Sequence, residues 1–216
     1  MFKKLSIKTK NEKYNIIIGY KYFSKFIKSI ENKKIKKFII IDYKVYKNVK
    51  EIIPNKKFLI IKLKENEKIK SIKYYWKIIS ILLKNNIDRN SVIICVGGGT
   101  LGDLVGFIAS TILRGVDLIL VPSTLLSQVD SSIGGKNGIN AEFGKNLIGS
   151  FYHPKEIIID PYFLKTLSLR EIKSGYAEII KHGIINDKKF FNWLKNNTKY
   201  ILANDNKKLS YAIKKS

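Results

Sequence analysis

The segment GGGTLGD, Gly97 to Asp103, has glycines at 97, 99 and 102, which satisfies G-x-G-x-x-G directly after the apolar run SVIICV. Glycines permit positive φ and let backbone N–H groups approach a pyrophosphate at a helix N-terminus, where the dipole favours negative charge. The usual fingerprint occupies the first strand-to-helix turn and is followed about 20 residues later by a ribose-binding acid. Here it comes late, and the better ribose acid is Asp42, at the end of FIIID. A tight turn without a ligand is the competing reading, with Gly98 and Gly99 at its centre. Asp103 either steadies the helix N-terminus by its charge or accepts a hydrogen bond from a ribose or nicotinamide group.

VPSTLLSQVDSSIGGKNG adds Ser123 and Thr124 at a strand end and Asp130 before a glycine turn. Serine, threonine and aspartate are also ordinary turn and cap residues. With Lys136 and Lys145 close behind, the segment offers one carboxylate and two ammonium groups to one crevice, a set suited to a small substrate bearing phosphate, carboxylate and hydroxyl groups. In so lysine-rich a chain neither lysine means much alone. In SGYAEIIKHG, Glu178, Lys181 and His182 at i, i+3 and i+4 share one helical face. That places a carboxylate metal ligand beside an ammonium, or forms a surface ion pair of small energetic value. Two helical ligands do not by themselves close a metal site. His153, between FY and Pro154, reads as a loop residue.

The elements that position these residues follow from apolar periodicity. KYNIIIG, KKFIIID, KKFLIIKL, SVIICVG, DLILVP and EIIID read as strands, and SIKYYWKIISILLKNN as an amphipathic helix. Strands alternating with helices predict an α/β fold, a Rossmann-like parallel sheet with helices on both faces, over residues 1–167. From Ser168, a predicted cap with Glu171 three residues on, every pattern is helical, so residues 168–216 read as the beginning of an all-helical domain.

Composition bounds the rest. The 216 residues carry a formal net charge of +24, yet only Arg89, Arg114 and Arg170 are arginine among 41 basic residues. The lysines are spread along the chain with abundant Ile and Asn, which reads as a solvated surface attractive to small anions and not as a nucleic-acid face. No apolar run approaches a membrane span and no secretory pattern follows the first lysines, so a cytoplasmic protein is expected. The single cysteine, Cys95, has no partner for an internal disulfide and reads as a buried strand residue.

GGGTLGDLVGFIAS, RGV, VPSTLLSQVDSSIGGKNGIN, GKNLIGSFYHP, LKTL and SGYAEIIKHGII, in that order, resemble 3-dehydroquinate synthase from about Asp42 to about Leu194. The resemblance implies an NAD-binding α/β domain, a helical domain holding a divalent metal (zinc or cobalt), and a cytoplasmic homodimer. It implies conversion of 3-deoxy-arabino-heptulosonate 7-phosphate, a phosphorylated sugar acid, to 3-dehydroquinate with loss of phosphate, in the shikimate route to aromatic amino acids. NAD would fall to Asp42, Glu67, Lys70, Gly98, Gly99, Asp103, Ser123, Thr124 and the Phe163 to Thr166 turn. Substrate would fall to Asp130, Lys136, Lys145, Asn146 and Lys181, with Arg114 reaching phosphate across the dimer interface, and metal to Glu178. The family has two further histidine ligands downstream of Glu178 that have no counterpart here, so the helical domain is expected to be cut short or completed by another polypeptide, with weak NAD binding and little or no turnover by this chain alone. A related sugar phosphate cyclase, a metal-dependent polyol dehydrogenase and a non-catalytic basic binding protein of the same fold are the alternatives.

Overall fold

The computed structural model describes residues 2–9 and 12–216. Seven strands form the main sheet: β1 (Phe2–Lys8), β2 (Lys13–Gly19), β3 (Lys37–Asp42), β4 (Leu59–Leu63), β5 (Val92–Gly97), β6 (Asp117–Pro122) and β9 (Glu156–Ile159). Their spatial order is β1-β2-β9-β6-β5-β3-β4. All neighbours are parallel except β1, which pairs antiparallel with β2 from Phe2↔Gly19 to Lys8↔Lys13. The expected Rossmann-like parallel sheet carries one antiparallel strand at this edge: FKKLSIK, mostly exposed and charged, lacks the buried run that marks a central strand.

Every residue of β3 and β5 is buried, and period-2 alternation divides their side chains between two cores. Phe38, Ile40, Ile93, Cys95, Ile157 and Ile159 face one layer. Ile39, Ile41, Val92, Ile94, Val96 and Ile158 face the other. The second layer is covered by α1 (Tyr22–Glu31), through Phe23, Phe26, Ile27 and Ile30, and by α2 (Tyr43–Val49). The first is covered by α3 (Ile72–Lys84) and α4 (Gly99–Thr111). The helices α5 (Leu169–Asn186), α6 (Lys188–Leu202) and α7 (Asn206–Lys215) continue that same core through Ile172, Tyr176, Ile179, Leu194 and Ile213. Helices therefore cover both faces, as expected. Burial pushes the Cys95 thiol well up, so it is an inert strand residue.

Two elements were not apparent in the sequence. The residues after Asp42 form α2, and the glycine-rich segment around Lys136 forms an antiparallel hairpin, β7 (Lys136–Ala141) and β8 (Gly144–Phe151), outside the main sheet. The hairpin docks on α4 at Gly106, where a Cβ would lie 1.7 Å from Asn137 Oδ1. Asn137 Nδ2 in turn donates to the carbonyls of Gly135 and Tyr152, tying the two ends of the hairpin. At α5 the predicted capping box is present: the Ser168 hydroxyl accepts from Glu171 N while Glu171 accepts from Ser168 N.

Asp160, at the carboxyl end of β9, is 1% exposed. Its carboxylate accepts from Lys21 N at 2.8 Å and Phe23 N at 3.0 Å, capping α1, and from Tyr162 N at 3.0 Å in the 3-10 helix Pro161–Thr166. Replacing it strands N–H groups at two helix starts. Asp160→Ala is expected to destabilise the protein by about 2–4 kcal/mol in urea unfolding; a loss below about 0.5 kcal/mol would show that water replaces the carboxylate freely.

Candidate functional site

Strand β5 ends at Gly97, and α4 begins two residues later with Gly98 as its N-cap and no side-chain cap of its own. The N–H groups this leaves are taken by a residue the sequence reading passed over. Glu65, just beyond β4, accepts from Gly98 N at 2.8 Å and from Leu101 N at 3.1 Å. Its signal was an acid immediately after a strand at the carboxyl edge of the sheet, but the N–H groups of the turn were assigned to a ligand. Glycine at position 98 is required by this approach, because a Cβ would lie 2.8 Å from Glu65 Oε1 and 3.1 Å from Thr124 Cγ2. Burial holds the Glu65 carboxyl above its usual range, against the pull of the two backbone hydrogen bonds; Asp42 and Glu171 push the same way as burial.

Two cavities open at the carboxyl ends of the strands. The first, of about 480 Å³, is lined by Asp42, Glu65, Gly98, Gly99, Ser123, Thr124, Phe163 and Thr166, among others. It therefore gathers seven of the ten residues expected to hold a cofactor. Asp42 is 6% exposed, and its carboxylate is already engaged. It caps α2 by accepting from Lys44 N and Val45 N, and it accepts from Glu65 N at 2.9 Å. Thr124 Oγ1 shares a 2.8 Å hydrogen bond with Ser127 Oγ, while Ser123 N donates to the Gly97 carbonyl.

The second cavity, of about 510 Å³, is lined by Asp103, Asp130, Ser131, Lys136, Asn146 and Phe151, among others. Here lie three of the expected substrate residues, together with Asp103. Lys70 is buried behind it: its ammonium is 2.6 Å from Asp103 Oδ2 and also bonds Asn146 Oδ1. Burial raises the Asp103 carboxyl despite Lys70, with Glu67 and Asp130 adding to the rise. Asn146 is held in the left-handed region (φ 58°), where its N–H donates to Asn140 Oδ1. Asn140 Nδ2 donates to Glu67 Oε1 at 2.8 Å. Glu67 and Lys70 thus support the second cavity and do not line the first.

The remaining expected residues lie outside both cavities. Lys145 is exposed, with its ammonium 4.0 Å from Glu67 Oε1. Arg114 is exposed in the left-handed region (φ 66°), between Leu113 (φ 52°) and Gly115 (φ 121°). Lys181 pairs with Glu178, and this ammonium holds the Glu178 carboxyl below its usual range. His182 Nε2 is 3.2 Å from Glu178 Oε1, and its Nδ1 meets the Ser216 hydroxyl. Among the described residues no three His, Cys, Asp or Glu side chains gather around one point. One carboxylate, one imidazole and an ammonium do not make a divalent-metal centre, so the residues present do not fit that group. His153 stacks on Tyr14, with centroids 5.2 Å apart, and lines neither cavity. Among the described residues no helix is long and apolar enough to cross a membrane.

The profile of 3-dehydroquinate synthase N-terminal regions matches residues 60–174, and that of the C-terminal regions matches residues 175–216. A 3-dehydroquinate synthase of Dictyoglomus turgidum is 47% identical over 212 residues, covering 98% of this chain and 60% of the relative. One from Buchnera aphidicola subsp. Cinara cedri is 43% identical over 222 residues, with 100% and 60% covered. The chain thus spans about 60% of the length of these relatives. Among solved structures, 2-epi-5-epi-valiolone synthase of Streptomyces hygroscopicus subsp. jinggangensis, with NAD+ and Zn2+ bound, superposes with a TM-score of 0.87 at 22% identity, over 97% of this chain and 60% of that one. A 2-deoxy-scyllo-inosose synthase complexed with carbaglucose-6-phosphate, NAD+ and Co2+ gives 0.77 at 24% identity, over 96% and 62%. At these identities the two structures establish the shared fold.

Glu65 makes stability depend on pH. A carboxyl raised in the folded state keeps its proton longer than in the unfolded chain, so its contribution is full below the ordinary value of 4.5 and is lost as pH rises through the folded value. Urea unfolding of wild type and Glu65→Gln across that range is expected to show the wild type's advantage shrinking with rising pH. A constant or growing advantage contradicts the assignment.

Proposed function

The chain belongs to the 3-dehydroquinate synthase family, and on that premise we propose that its two cavities are the cofactor and substrate halves of a 3-dehydroquinate synthase site. The reaction is the conversion of 3-deoxy-arabino-heptulosonate 7-phosphate to 3-dehydroquinate and phosphate, in aromatic amino acid biosynthesis. One observation carries this reading. A glycine-turn cavity with Asp42, Ser123 and Thr124 adjoins a cavity with Asp130, Lys136 and Asn146, and both are lined by Ser131.

NAD fits the first cavity by the chemistry of its lining, where the backbone of Gly98 and Gly99, the Ser123 and Thr124 hydroxyls and the Phe163 ring surround about 480 Å³. Phe163 and Thr166 would flank it, and the Ser123 and Thr124 hydroxyls would bond it. When bound, NAD supplies reversible oxidation of the substrate C5 hydroxyl, which acidifies the neighbouring C6 proton. The chain's own residues then bind and orient. Lys136, exposed at the mouth of the second cavity, draws in the anionic groups of the sugar acid, and Lys145 adds positive charge at its rim. Asn146, fixed by Lys70 and Asn140, presents its amide to substrate hydroxyls, and Asp130 accepts from them. Lys181 lies close enough to Asp130 for the carboxylate to raise the ammonium's pKa, though Glu178 is the larger cause. Arg114 serves phosphate across a homodimer interface.

The Rossmann-like unit is proposed to end at residue 167, with the helical unit from 168, in a cytoplasmic protein. Glu178 would be the metal ligand this chain contributes, but its surroundings do not complete a centre for zinc or cobalt.

The purified chain is expected to bind NAD by calorimetry while releasing little phosphate from the heptulosonate phosphate, with or without added divalent metal. Rapid phosphate release would overturn the inference drawn from Glu178. Net accumulation of NADH would assign a dehydrogenase instead. Salt-sensitive nucleic-acid binding without NAD binding would assign a basic binding protein.

A further inference from the structure

The wall between the two cavities is built around one hydroxyl. Ser131 ends the π-helical turn Ser127–Ser131, in which Ser132 N reaches back to the Ser127 carbonyl at 3.3 Å. Such turns insert one extra residue into a helix and so re-aim a side chain, and they recur at functional sites. The Ser131 hydroxyl oxygen is buried and has no hydrogen-bond partner among the described residues. A buried hydroxyl left unpaired is costly, so one at the wall of a cavity calls for a partner that is not protein. It points at Gly99, where a Cβ would lie 2.6 Å from Ser131 Oγ. Ser131 lines both large cavities and also a narrow crevice beneath the glycine turn.

The charge around it selects what it meets. Asp103 and Asp130 line the second cavity with Ser131, and among the described residues its one lining cation is Lys136. Phosphate and carboxylate groups are drawn to Lys136, which leaves a neutral hydroxyl-bearing part of the sugar to face Ser131. A hydroxyl donates one hydrogen bond and accepts two, so it can serve an occupant on each side at once. Resting on the proposed function, we propose that Ser131 contacts both ligands at the junction, hydrogen-bonding the substrate hydroxyl that faces NAD and the cofactor's reacting end, and thereby couples their binding.

The coupling can be read on this chain without turnover. NAD affinity is measured by calorimetry with and without a phosphonate analogue of the heptulosonate phosphate, and the reciprocal titration must give the same factor. In Ser131→Ala the coupling factor is expected to fall about five- to ten-fold, the worth of one hydrogen bond, beyond whatever affinity each ligand loses when bound alone. Ser132→Ala is the control. Its hydroxyl is also buried without a partner among the described residues, but it lines only the crevice, so coupling should persist. Ser131→Cys, close in volume but a weak donor, should lose an intermediate share of the coupling and stands in if the alanine variant does not fold. Unchanged coupling in Ser131→Ala with both ligands bound would overturn this inference alone, as would parallel loss of both affinities with a lowered Tm. A wild type that binds neither ligand would remove the proposed function and this inference together.

Discussion

Helices that start at the carboxyl edge of a parallel sheet point several unpaired N–H groups at the same region, and each must find an acceptor. In this chain three buried or partly buried carboxylates at the ends of β9, β3 and β4 supply them: Asp160 for α1, Asp42 for α2 and Glu65 for α4. The rest of the site depends on that arrangement. Asp42 also accepts from Glu65 N, so the caps of α2 and α4 are linked, and the loop carrying Glu67 and Lys70 is held where they can reach Asn140, Asp103 and Asn146. Few acids are available for this, 17 against 41 lysines and arginines. Three of them are spent on backbone groups at one edge.

That arrangement changes how the glycine turn works. Two N–H groups that an open turn would offer to a pyrophosphate are already bonded to Glu65, so any anion there meets a carboxylate first. What Gly98 and Gly99 permit is the close approach of protein, Glu65 and Thr124 at the first and Ser131 at the second. The glycines let Glu65, Thr124 and Ser131 close around the turn, more than they make a cradle of donors.

Much of this was legible in sequence. Buried runs such as KFIIID and VIICVG reveal central strands because both faces are covered, and the Ser168–Glu171 pair announces its helix. Asp42, Gly98, Gly99, Ser123, Thr124, Phe163 and Thr166 lie on one cavity because they sit at strand ends or in the turns that follow, and all those ends lie at one edge. Glu67 and Lys70 act one step removed, through hydrogen bonds whose partners lie 33 to 76 positions away, a relation no local pattern encodes. The hairpin was hidden because Gly134, Gly135, Gly138, Gly144 and Gly149 obscure the period-2 pattern that identifies a strand. The unpaired hydroxyl of Ser131 depends on a one-residue change of helical pitch, which leaves no compositional trace.

The surplus of lysine has a consequence at the margins of the main sheet. Its two outer strands, FKKLSIK and LIIKL, present unpaired backbone groups to solvent, a template on which a foreign strand could extend the sheet. Lys3, Lys4 and Lys8 on one border and Lys62 on the other make such stacking costly, since an added strand from a like copy would bring ammonium groups into register and bury them. A composition that does little for recognition over most of the surface thus guards the molecule against self-polymerisation.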